Sequence, residues 1–521
     1  MKNNKKTNNK INILKQEKGS ITVLVLASLL FFLIFFVNLY ISGGNKLSSQ
    51  EKEIAQVQQA YDGSDEQMQI EYEQIVAGGT PIYASDVPSN GSTFSRANGK
   101  IDIEFLTGTS YEVGVANAPA LDEENMVPVK YDETAKSWIV CSKTDKDWYS
   151  YDTTNRKWAN VMLRDVLVVE GITDAKTESL ENMIGKKVTT EGSMLVWIPR
   201  YAYKITYYDE SDTNKTGNPI GYSDARGLVD STGKTPTGMN SPVTSIAVRT
   251  ATDSYFRLHP AFEDGKETGY TQGEWSSKLT GIWMGKFETT PKGTDGKITI
   301  LPNTASYVNQ TIGQFYTDAQ DLGIANSHMA KNSEWGAMAY LTESKYGRNG
   351  TAVTKNGDNS YKTGAGDYKT NVAQSTTSNV YGIYDTVGGA WEYTAGYVAD
   401  SSISYGNSFA STDNTTNNKT ESTQYATVYI KATSNDYKEN YTANINKIFG
   451  NGIIETSTEG SGVASWHKAY CYFIGLYDVG NHPFFLRGGG YADAYAGSFY
   501  CGDSDGNRSD NRGFRICLCV L

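Results

Sequence analysis

Five short motifs rich in aromatic residues or glycine lie between residues 194 and 515, and long polar insertions separate them. The motifs are MLVWIPRY (194–201), GIWMGKFE (281–288), NSEWGAMAY (332–340), YGIYDTVGGAWEY (381–393), and LRGGG with RGFR (486–490 and 512–515). The insertions 345–379 and 399–426 consist largely of Asn, Thr, Ser and Gly, which favour turns and surface loops. The pattern predicts core segments joined by loops.

The fourth motif combines a glycine pair with Trp391 and Glu392. The glycines fit a tight turn, Trp391 fits a large core aromatic, and Glu392 needs a partner if it is buried. Arg487 and Arg515 are the candidate partners, because a guanidinium satisfies a carboxylate bidentately. We predict a structural role for these four residues.

In their order and combination, the motifs resemble the domain shared by the formylglycine-generating enzymes, or sulfatase-modifying factors, and the sulfoxide synthases. That domain is a variant of the C-type lectin fold. The resemblance implies an α+β fold class. It implies an irregular C-type lectin-like domain over residues 191–521. The residues before it have patterns of their own, which predict a transmembrane helix with a stalk and a small β-rich module.

The catalytic residues of those enzymes are not matched. The formylglycine-generating enzymes need two cysteines after the Arg-Gly-Gly step, because thiolates are the soft copper ligands and the nucleophile. Asp493 and Ser498 occupy the aligned positions. Sulfoxide synthases need a histidine cluster for iron, which His467 and His482 alone do not supply. We therefore expect no catalysis, no cofactor and no metal, with an oxidase of the formylglycine type as an alternative.

The five cysteines form no CxxC pair, so a zinc site is not expected. They are Cys141, Cys471, Cys501, Cys517 and Cys519. Outside the cytosol, two of the last four cysteines could form a disulfide.

The segment 490–511, GYADAYAGSFYCGDSDGNRSDN, is drawn almost wholly from Tyr, Asp, Ser, Gly, Asn and Ala. Only Phe499, Cys501 and Arg508 fall outside that set. Tyrosine gives contact area at low entropic cost, Ser and Gly adapt, and Asp and Asn form hydrogen bonds. The composition predicts a recognition surface.

The same segment resembles the variable region of proteins diversified by retroelements, in which adenine-specific mutagenesis of Asn-type codons yields such residues. In those proteins the Arg-Gly-Gly, Ala-Gly-x-Phe and Gly-Phe-Arg steps stay fixed, and this chain has all three, at 487–489, 496–499 and 513–515. The resemblance implies a variable segment 487–515. The ligand-binding positions it implies are Gly490, Tyr491, Ala492, Asp493, Tyr495, Tyr500, Gly502, Asp503, Ser504 and Asp505.

The N-terminal region predicts a membrane anchor. Residues 1–18 contain six lysines and one acid, and the apolar run 21–41 follows, with Asn38 as its only strongly polar residue. Twenty-one residues at about 1.5 Å each span about 30 Å, the thickness of the hydrocarbon core. We expect a basic cytoplasmic leader (1–19), a transmembrane helix (20–42) that contacts the membrane through 21–41, and the remaining chain outside. A cleaved secretory signal is the alternative.

The junction Lys18-Gly19-Ser20 resembles the start of a type IV prepilin, although Leu24 stands where pilins have Glu. The resemblance implies a pilin-like structural subunit as an alternative, with self-association through the N-terminal helix. The polar segment 43–77, rich in Gln, Glu and Ala, predicts a helical stalk.

Residues 78–190 predict a small β-rich module, because short segments with Thr, Tyr, Val and Trp alternate there. The sequence YDETAKSW at 131–138 is echoed by YDTTNRKW at 151–158. Each copy fits a hairpin whose aromatic side chains pair across the strands.

The net charge of −11 argues against nucleic-acid binding, which needs a basic face. The membrane anchor and the recognition surface together predict a surface-anchored receptor or adhesin in the cell membrane, with its C-terminal region at the cell surface. Its ligand would be an extracellular protein or glycan on another cell or a phage. A fixed adhesin or pilin-like subunit is the alternative.

Overall fold

The computed structural model describes the C-terminal four fifths of the chain, with gaps. The described residues are 99–110, 112–208, 214–215, 221–222, 256–263, 275, 277–399, 424–432, 437–444, 448–457, 463–464, 466–473 and 482–520. The predicted leader 1–19, helix 20–42, stalk 43–77 and the first part of the β-rich module lie outside them.

Strands dominate the described part of the chain. In chain order they are β1 (Gly99–Phe105), β2 (Met126–Asp132), β3 (Ser137–Val140), β4 (Asn160–Leu163), β5 (Val168–Val169), β6 (Val188–Thr190), β7 (Met194–Pro199), β8 (Tyr201–Tyr207), β9 (Gly221–Tyr222), β10 (Arg257–Leu258), β11 (Gly281–Gly285), β12 (His328–Met329), β13 (Trp391–Ala399), β14 (Thr427–Ile430), β15 (Val463–Ala464), β16 (Tyr470–Cys471), β17 (Phe484–Gly488), β18 (Gly497–Ser504), β19 (Arg512–Phe514) and β20 (Ile516–Leu518). The α-helices are α1 (Leu180–Met183), α2 (Ile312–Gln320), α3 (Asn332–Glu343) and α4 (Tyr437–Asn444).

Most of these strands form three sheets. The first contains β1, β8, β9 and β10, and the second has the order β12-β20-β11-β7-β4-β2-β3. The third has the order β14-β13-β17-β18-β16-β15, with β19 paired to β13. The described region is thus mostly β, with few helices, so the predicted α+β class holds only in part. Its finer assignment to the C-type lectin fold remains a prediction.

The second sheet joins strands from both sides of the predicted domain boundary at residue 190. Strand β4 pairs with β7, so that Asn160 lies opposite Val196. The Lys286 ammonium donates to Asn160 Oδ1 at 2.8 Å, and Trp138 Nε1 donates to Tyr368 Oη at 2.5 Å. The strands of the predicted β-rich module therefore share a sheet and buried contacts with the larger C-terminal region.

The two copies of the 20-residue echo form the same turn. Asp132 Oδ1 accepts backbone N–H bonds from the second and third residues after it, at 2.8 and 2.9 Å. Asp152 Oδ1 does the same, at 2.7 and 2.5 Å. In the first copy Tyr131 lies opposite Trp138, with ring centroids 5.4 Å apart. An Asp carboxylate that satisfies local N–H groups stabilises such a turn.

The predicted single-pass membrane location is contradicted. Among the helices that the structure describes, none is long and apolar enough to cross a bilayer. The longest of these, α3, has 12 residues, which reach about 18 Å, whereas a bilayer core is about 30 Å thick. The segment 20–42, which carried the prediction, lies outside the described residues.

Candidate functional site

The third sheet positions a loop, 489–496, between two of its central strands. Strand β17 pairs with β13 on one side and with β18 on the other, both antiparallel. At the end of β17, Gly488 and Gly489 have φ angles of 80° and 75°. A Cβ atom at Gly489 would lie 2.7 Å from Ala496 Cα. The Arg-Gly-Gly step therefore needs its glycines, because they turn the chain and let the loop ends meet.

Three charged residues near this loop are fully buried, and we call Glu392, Arg487 and Arg515 the frame. Arg515 Nε and Nη2 donate to the two oxygens of Glu392 at 3.0 and 2.5 Å. Of the two partners considered for Glu392, the structure therefore has Arg515. The bidentate geometry is the one that a guanidinium and a carboxylate prefer.

Arg487 bonds mainly to backbone oxygens instead. Its guanidinium donates to the carbonyl oxygens of Tyr500 at 2.7 Å, Asn451 at 2.8 Å and Gly452 at 3.0 Å. It also donates to Asn332 Oδ1 at 3.2 Å. The Arg487 side chain thus links β18 to the loop that contains Asn451 and Gly452 and to the first residue of helix α3.

Several buried carboxyl groups surround the Arg515 guanidinium. Burial raises the pKa of Glu392 to about 7, although Arg515 pulls the other way. Burial also raises the pKa of Asp385 to about 6, and burial with the nearby Glu392 charge raises the pKa of Glu288 well above its ordinary value. The frame therefore lies in a low-dielectric region in which carboxyl groups resist ionisation.

An open groove of about 410 Å³ lies beside the loop. Five of the ten positions predicted to bind ligand line it: Asp493, Tyr495, Tyr500, Gly502 and Asp503. Tyr495 is 62% exposed, and Asp493, Tyr500 and Asp503 are half-buried. Residues from a loop and from a strand thus meet in one concavity.

The groove also contains residues that the sequence did not mark as ligand-binding: Tyr470, Leu486 and Arg512. Strand β16 pairs with β18, and this pairing brings the Tyr470 ring to 5.5 Å from the Tyr500 ring. Leu486 lies opposite Gly502 on the neighbouring strand. No local sequence motif marks Tyr470 as a groove residue. Its position depends on the pairing of β16 with β18.

Trp391 differs from its prediction as a core residue, because it is half-buried and lines the groove. Its indole Nε1 donates to Asp493 Oδ2 at 2.6 Å. The backbone N–H of Gly490 donates to the same oxygen at 2.9 Å. Lys355 Nζ donates to the carbonyl oxygen of Asp493 at 2.8 Å. Asp493 therefore organises the loop as well as lining the groove.

Three other predicted positions, Tyr491, Ala492 and Asp505, do not line the groove. Tyr491 packs edge-on against Tyr361 at 5.5 Å, and its N–H donates to the Gly389 carbonyl at 2.8 Å. Ala492 is exposed. Asp505 accepts from the backbone N–H of Asn507 at 3.0 Å.

Ser504, which is also one of the predicted ligand-binding positions, is fully buried. Its hydroxyl lies 2.7 Å from Tyr393 Oη and accepts a bond from Arg512 Nη1 at 2.8 Å. Arg512 Nη1 also lies 3.3 Å from Asp505 Oδ1. These bonds at the end of β18 give Ser504 a packing role and remove it from the exposed surface.

Two groove residues have perturbed pKa values. Burial raises the pKa of Asp503, although its neighbour His482, whose Nδ1 lies 3.4 Å from Asp503 Oδ2, opposes this. Burial also raises the pKa of Tyr500 above its ordinary range. The groove surface is therefore partly desolvated, which strengthens any polar contact that a ligand makes there.

The two positions aligned with the enzyme cysteines form internal hydrogen bonds. Asp493 holds Trp391 and Gly490, and the carbonyl of Ser498 accepts from Trp335 Nε1 at 2.8 Å. Both positions thus stabilise the third sheet and its loop.

One further cluster contains metal-ligating residue types. The ligand atoms of His328, Glu334 and Cys517 lie within 4.8 Å of one another, all buried. His328 Nε2 lies 2.9 Å from Glu334 Oε2, and Lys331 Nζ lies 3.4 Å from Glu334 Oε1. Despite its burial, these two neighbours lower the pKa of Glu334 to about 2. The cluster is an ion-paired network in which an ammonium already supplies positive charge.

Neither a protein-family model nor a curated protein sequence matches the chain. Among solved structures, the chain is similar to Treponema denticola variable protein 1, with 13% identity and a TM-score of 0.21 over 47% of this chain and 86% of that one. It is also similar to the U1 and M1 variants of the Major Tropism Determinant, each with 11% identity and a TM-score of 0.25 over 78% of this chain and 97% of that one. Such low TM-scores establish neither a shared fold nor a function. The formylglycine-generating-enzyme type of residues 191–521 and the pilin-like junction remain predictions.

Proposed function

We propose that this protein binds a ligand through the groove, that a retroelement diversifies the groove residues, and that the protein acts by binding rather than by catalysis. One observation carries the proposal. Five predicted variable positions, separated by up to ten residues in sequence, line a single concavity, whereas the predicted fixed arginines, Arg487 and Arg515, are fully buried.

The chemistry of the groove supports recognition. Trp391, Tyr470, Tyr495 and Tyr500 supply aromatic surface, and the carboxyl groups and Arg512 supply polar contacts. Large, rigid aromatic side chains with a few polar groups are typical of binding sites that accept varied partners. A protein or glycan ligand fits such a surface.

The separation between groove and frame supports diversification. A position can vary only if its side chain is not needed for folding, and surface substitutions away from buried networks usually change stability little. Tyr495 and Ala492 meet that condition because they are exposed. The buried Glu392–Arg515 pair does not, since removing one partner would leave an uncompensated charge.

Comparison of the flanking DNA tests this proposal. We expect a reverse transcriptase gene and a near-copy of the segment that encodes residues 487–515, differing almost only at template adenines. The differing codons should include those of the groove residues and exclude those of Arg487 and Arg515. Absence of both the gene and the near-copy would end the diversification claim and leave a fixed binder, while copper or iron bound to the purified protein would favour the oxidase alternative.

A further inference from the structure

Two N–H groups converge on a single oxygen of Asp493. Trp391 Nε1 and the Gly490 backbone nitrogen lie 2.6 and 2.9 Å from Asp493 Oδ2. Two donors aimed at one oxygen are the arrangement by which proteins hold a carboxylate or another oxyanion. The oxygen that occupies this position here comes from the chain itself.

The backbone that carries these two donors is held by contacts outside the side chain at position 493. The Gly490 N–H belongs to the backbone, so it is present with any residue except proline at 490. The backbone of Trp391 is held by its own N–H bond to the Asn511 carbonyl at 2.9 Å and by pairing with Arg512. Tyr491, next to Gly490, is held by its N–H bond to the Gly389 carbonyl.

The local charges favour an anion at this position. Lys355 Nζ, which donates to the carbonyl of residue 493 at 2.8 Å, places an ammonium beside the loop. That bond is made to the backbone, so it persists when the side chain at 493 changes. Asp503 lies in the same groove and is the like charge that an incoming anion would meet.

We propose that Trp391 Nε1–H and Gly490 N–H form a carboxylate-binding subsite in the groove, and that Asp493 fills this subsite from within the chain. With Asp at 493, the subsite is closed to ligands. With a small neutral residue there, the same two donors accept a carboxylate group of a ligand. This inference rests on the proposed function, since 493 is one of the positions expected to vary. Residue 493 would thus determine specificity by opening or closing a fixed subsite.

Chemical rescue by acetate tests the subsite. Full-length protein with Asp493→Ala is labelled with 5-fluorotryptophan, and the Trp391 resonance is assigned by its loss in Trp391→Phe. We expect sodium acetate to move this resonance saturably toward its wild-type position, with a dissociation constant on the order of millimolar. Sodium chloride at the same ionic strength should not do so. The wild-type protein should not respond to acetate, because Asp493 already holds both donors.

Asp503→Ala is the matched control, since it removes a second groove carboxylate that is not bonded to these donors. We expect no acetate response of Trp391 in that variant. The inference is overturned if acetate and chloride act alike on Asp493→Ala, if acetate has no effect on it, or if the wild type or Asp503→Ala responds to acetate as Asp493→Ala does. If Asp493→Ala does not fold, as judged from the other tryptophan resonances, Asp493→Ser provides the same titration.

The outcomes separate this inference from the proposed function. Acetate rescue without a near-copy of the segment in the flanking DNA would leave the subsite intact and remove diversification. A near-copy that differs at adenines, combined with no acetate rescue, would support diversification and remove the subsite.

Discussion

The groove and the frame contain the same kinds of polar side chain but differ in what those side chains bond to. Asp493, in the groove, is half-buried and bonds to a loop and to an indole. Glu392, in the frame, is fully buried and bonds to an equally buried guanidinium. A buried group left without its partner retains its full desolvation penalty, whereas an exposed group is solvated by water. Side chains in the groove can therefore vary, whereas those in the frame cannot.

Removing the Arg515 guanidinium from the frame should have the largest effect on stability. Arg515→Ala leaves Glu392 buried without a partner, so we expect the free energy of unfolding to fall by about 3 to 5 kcal/mol. Urea denaturation followed by tryptophan fluorescence measures it. Arg508→Ala, the same substitution at an exposed site, should change that free energy by less than about 0.5 kcal/mol. Equal effects of the two substitutions would remove the distinction.

The frame should also give stability a pH dependence. Because the pKa of Glu392 in the folded protein is about 7, above the usual value of about 4.3, the native state binds the proton more tightly than the unfolded chain. The stabilisation is therefore full below about pH 4 and is lost as the pH rises through about 7. We expect the free energy of unfolding to fall by roughly 1 to 3 kcal/mol between pH 4.5 and 7.5.

Glu392→Gln separates this contribution from that of other groups, because the amide does not titrate. We expect the slope of unfolding free energy against pH to decrease in that variant. Glu334, whose pKa is lowered to about 2, should not contribute in this range. An unchanged slope in Glu392→Gln would show that the frame is not the source.

Ser504 belongs to the predicted variable positions but is buried like the frame residues. Ser504→Ala removes a buried hydroxyl that bonds to Tyr393 and Arg512, so we expect a loss of about 1 to 2 kcal/mol in urea denaturation. Ser498→Ala on the same strand is the control, since the carbonyl of Ser498, which persists, makes the bond to Trp335. If both variants were as stable as the wild type, Ser504 would belong with the groove.

Tyr495 should give the smallest effect. Its side chain is 62% exposed, so Tyr495→Ala should alter the free energy of unfolding by less than about 0.5 kcal/mol. Tyr393→Ala applies the same substitution to a buried ring and should cost several kcal/mol, on the order of 3 to 5. Thermal unfolding of the two variants measures the difference. A melting temperature of Tyr495→Ala as low as that of Tyr393→Ala would show that Tyr495 has a structural role.

Local patterns in the sequence predicted features that depend on nearby residues. The echoed Asp turns follow from the spacing of Asp132 and its neighbours, and the gathering of Asp493 and Tyr495 near Tyr500 follows from a short segment that folds back on itself. The bidentate partner of Glu392 was narrowed to two arginines because few side chains can satisfy a buried carboxylate.

Features that depend on long-range pairing were not predictable in the same way. Tyr470 reaches the groove only because β16 pairs with β18. The sequence around Trp391 predicts a core residue, but its indole bonds to Asp493 in the loop and lines the groove. Ser504 fits the composition of a recognition surface, but Tyr393 and Arg512 cover it. In each case a partner distant in sequence decides the exposure of the side chain.

A substitution scan of residues 487–515 would show whether the groove can vary while the frame stays fixed. Every residue is replaced by all others, and the fraction of protease-resistant protein displayed on yeast is measured for each variant. We expect Ala492, Tyr495 and Asp503 to accept most substitutions, whereas Arg487 and Arg515 should accept almost none. Equal tolerance at these two groups of positions, or greater tolerance at the arginines, would contradict this expectation.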